Sequence, residues 1–201
     1  MNSEFQYHSG IHDCWGKLNY SEQMINYHDR EWGEPLENDL TLFEFLVLEG
    51  MQAGLSWNSV LMKREAFRES LDGFDPEKIS RYDCIKIQQL LKNPSIIRNR
   101  SKLESVILNA GAFIKISEKF GSFSEYLWSF VESKTIQHNF KDRSFVPSST
   151  KESELMSQSL KSKGFKYVGP IICYSFMQAT GMVNDHVVSC FRWRQLSVSN
   201  K

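Results

Sequence analysis

The stretch DLTLFEFLVLEGMQAGLSW, residues 39–57, carries the strongest structural signal in the chain. Apolar residues cover most sides of its first turns, which predicts a helix buried in the middle of the fold. Asp39 is expected to cap this helix and Gly54 to interrupt it. A helix of this kind needs neighbours on several sides, and the flanking segments must supply them.

Helical periodicity continues on both sides of this stretch. Ser21 is expected to cap a short helix that carries Tyr27 and His28, and Ser56 to open one longer helix. Strand-type alternation is absent from the sequence, and residues 132–150 are expected to form a loop. The remaining predicted helices begin at Pro76 or occupy residues 84–92, 103–120, 122–131, 151–163 and 170–180. The chain is therefore predicted to be all-α.

Length and composition fit one domain, or two small ones that share a core, in 201 residues. Hydrophobic residues make up 41% of the chain, which excludes global disorder. No apolar run reaches the roughly 20 residues of a membrane helix, and residues 1–10 have no signal pattern. Four cysteines are too few for a disulfide scaffold, so a location in the reducing cytoplasm is expected. Nothing indicates a partner protein, and a monomer is assumed.

Acidic and basic residues balance over the chain but are separated locally. Residues 29–49 contain seven acidic side chains and one base, whereas residues 84–103 contain five bases and no acid. A charged run is commonly a solvated face. The basic run also joins two predicted helices, and backbone N–H groups at the start of the second could bind a DNA phosphate beside Arg98, Arg100 and Lys102. An ordinary turn between helices is the alternative.

Histidine and cysteine residues near the two ends of the chain form a candidate metal site. His186 and Cys190 are four residues apart, so on a helix they would share a face. His12, Cys14 and His28 near the start offer further ligands, and two thiolates with two imidazoles would suit tetrahedral zinc. Spacing alone does not choose among them. Scattered cysteines are, moreover, often simply small buried side chains.

Glu49 places a carboxyl group in the apolar helix. A buried carboxyl group either pairs with a neighbouring segment, as a salt bridge or a cap, or serves as an acceptor in a ligand pocket. The nearby aromatic residues Trp15, Tyr27, Trp32 and Trp57 could be core packing or the walls of a box for a flat cation. The choice depends on whether the carboxylate finds a partner inside the fold.

Six blocks of sequence together resemble the 3-methyladenine DNA glycosylase I family. They are YHDREWG (27–33), LEGMQAGLSW (48–57), IIRNRSKL (96–103), YLWSFV (126–131), GFKYVGPIICYSFMQATGMVNDH (164–186) and the trailing Cys190. The resemblance covers most of the chain. It implies a helix-hairpin-helix DNA glycosylase fold over residues 1–201 as a single unit, with two helical lobes sharing a base pocket and a hairpin at about 84–110. It also implies base-excision repair, in which N3-methyladenine is flipped out of double-stranded DNA and its N-glycosidic bond is hydrolysed.

The same resemblance assigns candidate site residues by position. The resemblance implies one structural zinc ion per chain, which would tie the two ends of the chain together. His12 is not among the implied zinc ligands. The base pocket would use Glu49 as the catalytic acceptor, with Trp15 and Trp32 as expected additional walls. The zinc ligands implied are Cys14, His28, His186 and Cys190. The other base-pocket residues implied are Tyr27 and Trp57.

Two segments are expected to contact DNA. Gly54 and Leu55, in the turn after the Glu49 helix, match the part of the family that probes the gap left by the flipped base. The hairpin matches residues 93–100. Its expected DNA contacts are Ser95, Arg98 and Arg100, together with Lys102 just beyond it.

The chemistry implied is modest, because adenine methylated at N3 is positively charged and already a good leaving group. No lysine or N-terminal amine is placed for a Schiff base, which predicts a monofunctional glycosylase without strand cleavage. Asp185 could be a general base or could orient the neighbouring His186. Two other functions stay open: a metallohydrolase with catalytic zinc, and a module that binds a damaged base without releasing it.

Overall fold

The computed structural model describes residues 10–16 and 20–198. Their regular structure is mostly α-helical, as predicted. The helices of the first half are α1 (Gly10–Trp15), α2 (Glu22–Arg30), α3 (Asp39–Gln52), α4 (Trp57–Leu61), α5 (Arg64–Ser70) and α6 (Pro76–Ile79). The helices of the second half are α7 (Cys84–Lys92), α8 (Arg100–Phe120), α9 (Phe123–Trp128), α10 (Lys151–Ser162), α11 (Pro170–Ala179) and α12 (Phe191–Val198).

Helix α3 is the central element of the fold. Leu42, Phe43 and Leu48 point to different sides of this helix, and all three are fully buried. Around it pack α4, α8, α9 and α11. A helix that is apolar on several faces gains free energy from the hydrophobic effect only when neighbours cover those faces. The prediction of a central buried helix is confirmed.

The start of α3 differs from the prediction. Asn38 is the N-cap, since its side-chain oxygen accepts a hydrogen bond from the Thr41 N–H at 3.0 Å. Asp39, the expected cap, instead accepts from the backbone N–H groups of Phe123 and Ser124, at 2.9 and 2.8 Å. Its carboxylate therefore caps α9 and joins that helix to the centre of the fold.

Other predicted helix starts are confirmed. The side chains of Ser21, Ser56, Asp75 and Asp83 each accept a hydrogen bond from a backbone N–H in the following turn. The segment opened by Ser56 was expected to be one helix but forms two. The backbone at Lys63 leaves the helical conformation, and this separates α4 from α5.

A short parallel ladder is an exception to the helical pattern and was not predicted. Strand β1 (Ile136–Gln137), inside the expected loop 132–150, pairs with β2 (Val183–Asn184). Two residues per strand are too few to show an alternating pattern, so the sequence carries no strand signal there. The ladder holds the loop against the segment that leads to His186.

Helices α7 and α8 pack against each other and are joined by residues 93–99, which agrees with the expected arrangement of two helices and a turn. Buried apolar side chains from Cys14 to Cys190 belong to one core cluster. No helix of the described residues is long and apolar enough to cross a membrane. The two lobes, the monomeric state and the cytoplasmic location stay predictions.

Candidate active site and metal centre

A cavity of about 250 Å³ opens beside the central helix. Its volume lies just below the roughly 300–1,000 Å³ of most small-molecule sites, so it suits a single flat ring system. The residues that line it are Trp15, Tyr20, Met24, Tyr27, Trp32, Glu49, Gln52, Trp57, Ser175 and Gln178. All five residues expected in the base pocket are among them.

Glu49 is the acid in the wall of this cavity, and only 4% of its surface is exposed. Its Oε2 atom is buried and has no hydrogen-bond partner among the described residues. Burial raises the pKa of the Glu49 carboxyl to about 8, because the charged form has lost its water. The alternative of a structural salt bridge is therefore not observed at Glu49.

Glu44, one turn earlier in α3, shows the contrasting paired state. Arg64 Nε donates to Glu44 Oε1 at 2.5 Å, and Arg68 Nε donates to Glu44 Oε2 at 3.1 Å. Arg64 also donates to Glu31 at 2.6 Å. The arginines of α5 thus neutralise acids of α3 and its surroundings, while Glu49 faces the cavity.

Aromatic rings surround the Glu49 carboxyl group. Tyr27 and Trp57 lie 5.4 Å apart between ring centroids, and Trp15 stacks on Tyr27 at 6.0 Å. Trp32 meets Trp15 edge-on at 5.1 Å. Trp57 also keeps a buried indole N–H without a partner among the described residues, so a donor lies near the acceptor. Ring faces beside an acid favour a flat cationic ligand with polar edges.

Five lining residues were not predicted from the sequence: Tyr20, Met24, Gln52, Ser175 and Gln178. Helical spacing is the signal that could have identified two of them. Gln52 follows Glu49 by three positions in α3, and Met24 precedes Tyr27 by three in α2, so each pair shares a helix face. The residues of α11 are remote in sequence, and only the tertiary fold brings them to the cavity.

Asp185 is fully engaged inside the protein. Its carboxylate accepts hydrogen bonds from Tyr174 Oη at 2.5 Å and Gln178 Nε2 at 2.7 Å, and it contacts His138 Nδ1 at 2.6 Å. These contacts hold Gln178 in the cavity wall and leave no carboxylate oxygen free to act as a base. No contact with the His186 ring is observed.

Cys14, His28, His186 and Cys190 meet in one buried cluster, with ligand atoms all within 4.8 Å of one another. The distance to His186 Nδ1 is 3.4 Å from Cys190 Sγ and 3.6 Å from Cys14 Sγ, and Cys190 Sγ lies 3.8 Å from His28 Nε2. Ligands at about 2.0–2.3 Å from a tetrahedral ion are separated by about 3.3–3.8 Å. These three separations match a tetrahedral ion, and all four ligand atoms lie within 4.8 Å of one another, so the four side chains could hold one metal ion.

The outer nitrogen of each histidine has a partner of its own. His28 Nδ1 contacts Asp29 Oδ1 at 2.7 Å, and His186 Nε2 contacts the Trp32 carbonyl at 3.0 Å. These contacts leave His28 Nε2 and His186 Nδ1 directed at the cluster as ligands. Asp29 and Trp32 thus have the orienting role that was one expectation for Asp185.

The protonation of the cluster suits a cation. The hydrogen bond between the two thiols raises the pKa of Cys14 and lowers the pKa of Cys190, whose thiolate is also stabilised by the histidines. Burial lowers the pKa of His186, which favours the neutral imidazole that a metal requires. A metal ion could displace the proton that the thiols share.

His186 and Cys190 do not share a helix face, contrary to expectation. Both lie in the segment between β2 and α12. The Cys190 N–H donates to the Val187 carbonyl at 2.8 Å, and this turn brings the two side chains together.

Basic residues in and directly after the connector between α7 and α8 are exposed to solvent. Ser95 and Arg98 are exposed, and Arg100 forms an exposed ion pair with Glu104 at 3.2 Å. The Ser95 N–H donates to Asn93 Oδ1 at 2.9 Å, so this backbone group is used within the turn rather than free for a phosphate.

The buried position of Lys102 contradicts the expectation that this residue contacts DNA. Only 6% of its surface is exposed. Its Nζ donates to the carbonyl oxygens of Met51 at 2.8 Å and Ala53 at 2.6 Å, at the C-terminal end of α3. Lys102 belongs to a charged run in the sequence, yet it makes an internal contact. Two carbonyl groups without helical partners lie within hydrogen-bond distance of its ammonium group.

The turn after α3 borders the mouth of the cavity. Gly54 has a φ of +79°, a left-handed conformation that glycine adopts most readily. Leu55 is 45% exposed despite its apolar side chain. A second cavity, of about 200 Å³, touches both residues and shares Glu49 with the first.

Comparison with known proteins identifies a family and relatives that match most of the chain. A family model described as methyladenine glycosylase matches residues 15–193. The DNA-3-methyladenine glycosylase of Haemophilus influenzae is 43% identical over 166 residues, which is 83% of this chain and 90% of that protein. DNA-3-methyladenine glycosylase 1 of Escherichia coli K12 is 45% identical over 175 residues, 87% of this chain and 94% of that protein.

Solved structures give the same result. The structure of 3-methyladenine DNA glycosylase I from Staphylococcus aureus, which concerns recognition of 3-methyladenine, matches with a TM-score of 0.87 and 34% identity. The match covers 92% of this chain and 97% of that one. The span matched by the family model contains the whole cavity lining.

Proposed function

Because the chain belongs to the methyladenine glycosylase family and is therefore an N-glycosyl hydrolase, we propose that it removes N3-methyladenine from alkylated double-stranded DNA. The observation that carries this proposal is the unpaired, buried Oε2 of Glu49 in an aromatic cavity. A cationic purine supplies the positive charge and the N–H donor that the Glu49 carboxylate can pair with. An uncharged adenine gains less from the same walls, so selectivity comes partly from charge.

Glu49 acts as the acceptor that holds the base. Its pKa of about 8 means that the carboxyl group is mostly protonated at neutral pH in the free protein. A bound cation favours the carboxylate, so binding a permanently cationic purine releases a proton. The affinity for such a ligand is expected to rise up to about tenfold per pH unit below pH 8 and to level off above it.

Hydrolysis needs little else from the protein. The methylated base leaves easily once it has been flipped from the stack, and water attacks the sugar as the bond breaks. Asp185 is not proposed as the base that activates this water, since Tyr174 and Gln178 donate to its Oδ2 and His138 contacts its Oδ1. None of the described residues that line the cavity is a lysine, which supports a monofunctional reaction without strand cleavage.

Duplex DNA is proposed to lie over the connector between α7 and α8 and the turn after α3. Arg98 and Arg100 supply exposed positive charge, and Ser95 lies in the same connector. Leu55 offers an exposed apolar side chain beside the cavity mouth, where apolar side chains of other proteins enter a base stack.

Zinc is the metal proposed for the cluster of two cysteines and two histidines. This donor set is typical of structural zinc, and four protein ligands fill its coordination shell. A catalytic zinc needs an open position, so a metallohydrolase is disfavoured. The ion would hold α1, α2 and the segment before α12 together.

The function is tested by incubating the protein with methylated duplex DNA and separating the released bases by chromatography. We expect free 3-methyladenine and intact strands. Glu49→Gln should slow single-turnover release by roughly a hundredfold, because one transition-state contact is weakened. Glu118→Gln, which alters an exposed carboxylate of α8, is the matched control.

Two results would argue against the proposal. Binding of the methylated base without its release would favour the module that recognises damage but does not catalyse. Unchanged release by a folded Glu49→Gln protein would remove this carboxylate from the reaction.

A further inference from the structure

Lys102 links two parts of the molecule that the proposed function uses separately. It lies in the first turn of α8, directly after the basic connector, and its ammonium binds the end of α3. We propose that Lys102 is a positioning residue that holds the Gly54–Leu55 turn in register with the DNA-binding connector. This role rests on the proposed function.

The end of α3 needs an external cation. The last carbonyl groups of a helix lack intrahelical partners and carry the negative end of the helix dipole. Helix α3 has no basic residue in its own last turn, so the charge must come from another element. Lys102 supplies it from 51 positions away in sequence. Two hydrogen bonds are the compensation that a buried ammonium requires.

The two bound carbonyls lie between the features that must act together on DNA. Met51 follows Glu49 by two residues, and Ala53 directly precedes Gly54. A displacement of this point would move both the acceptor in the cavity and the turn at its mouth. The contact therefore determines where Leu55 stands relative to the cavity.

A second lysine ties the same segment at its other end. Lys63, just beyond α4, donates from Nζ to the carbonyls of Pro94 at 3.4 Å and Ser95 at 3.1 Å. Residues 53–63, which include Trp57, are thus held at one end by Lys102 of α8 and at the other end by the contact of Lys63 with the connector. When Arg98 binds a phosphate, the Gly54–Leu55 turn therefore already has a fixed position relative to the duplex.

The test compares Lys102→Met with Arg98→Gln on methylated duplex DNA. Arg98→Gln should lower affinity and reduce the slope of log affinity against log salt by about one, as for a lost phosphate contact. Lys102→Met should leave the salt slope unchanged but lower the saturating rate at least tenfold. If Lys102→Met reduces the salt slope as Arg98→Gln does, Lys102 is a phosphate contact and the proposal is wrong.

A double-mutant cycle separates positioning from general support of the fold. If Lys102 acts through the turn, Lys102→Met should change the rate by less than twofold in a Leu55→Ala background. Equal fold-losses in both backgrounds would overturn the proposal. Should Lys102→Met fail to fold, Lys102→Gln keeps an uncharged NH₂ donor group and is judged by the same rates and slopes.

A measurement without substrate keeps the outcome separate from the proposed function. The Leu55 N–H donates to the Gln52 carbonyl at 2.6 Å. Its hydrogen exchange in the free protein should be at least tenfold faster in the Lys102 variant that folds. An unchanged exchange rate would refute the positioning role, whereas a wild-type protein that releases no base would refute only the proposed function.

Discussion

The Glu49 carboxyl group lowers the stability of the protein whenever it is ionised. Its Oε2 has no partner in the part of the chain that the structure describes, and burial holds its pKa at about 8 instead of the ordinary 4.5. A buried acid that contributes nothing to folding is typical of a functional group, since functional sites commonly trade stability for reactivity. Glu44 in the same helix is instead paired with Arg64.

This difference predicts how stability depends on pH. Between pH 4.5 and 8 the folded state keeps a proton on Glu49 that the unfolded chain has lost, so the free energy of unfolding falls as pH rises through this window. Glu49→Gln removes that loss. At pH 8.5 the variant should be more stable than wild type by about 2–5 kcal/mol, and at pH 4.5 nearly equal to it. Urea unfolding at both pH values measures the difference.

Glu44→Gln is the control for this prediction because it changes the same group in the same helix. It leaves Arg64 partly unpaired in the interior, so it should destabilise the protein by about 3–5 kcal/mol at neutral pH. A destabilised Glu49→Gln protein at pH 8.5 would show that Glu49 has a stabilising partner in solution.

The capping residues show how one element is fastened to another. Asn38 and Asp39 are adjacent and both favour helix starts, yet Asn38 caps its own helix and Asp39 caps α9. Local sequence could not separate these roles, because the N–H groups of Phe123 and Ser124 are remote in the chain. Caps at Ser21 and at the other confirmed starts were predictable because their partners lie within one turn.

Substitutions of Asn38 and Asp39 are therefore expected to lower the stability of the protein by different amounts. Asn38→Ala removes a single local cap and should cost about 1 kcal/mol. Asp39→Ala leaves two N–H groups of α9 without their acceptor and should cost about 2–4 kcal/mol. Chemical unfolding of both variants measures the contrast. Equal losses would mean that water replaces the Asp39 carboxylate at α9.

The whole molecule is closed by contacts between its two ends. The cluster of two cysteines and two histidines joins Cys14 and His28 to residues more than 150 positions later, and Ser189 donates to Asp13 at 2.9 Å beside it. A link over so long a loop restricts the unfolded chain strongly. By analogy with a disulfide, it could be worth about 4–5 kcal/mol.

Metal analysis should accordingly find one zinc per chain. Removal of zinc by a chelator, or Cys190→Ala, should lower the unfolding temperature by 10 °C or more for a loss of about 4–5 kcal/mol. Cys84→Ser changes an exposed cysteine outside the cluster and should retain the ion. Metal-free protein with unchanged unfolding would contradict the tie between the two ends.

Local sequence determined much of the structure of this protein. Helix starts, the central apolar helix and the types of ligand all follow from side-chain chemistry within a few residues, and the ordered blocks of sequence indicate the family. The division between α4 and α5 and the two-residue strands β1 and β2 were missed, since neither has a local signal long enough to read.

Tertiary structure alone decided which groups find partners. Arg98 and Lys102 are bases of one charged run, yet Arg98 remains exposed while Lys102 is buried against the carbonyls of Met51 and Ala53. Glu44 and Glu49 belong to one helix, yet only the first is paired. The free energy of a buried charge depends on donors and acceptors brought from distant segments, and that arrangement exists only once the chain has folded.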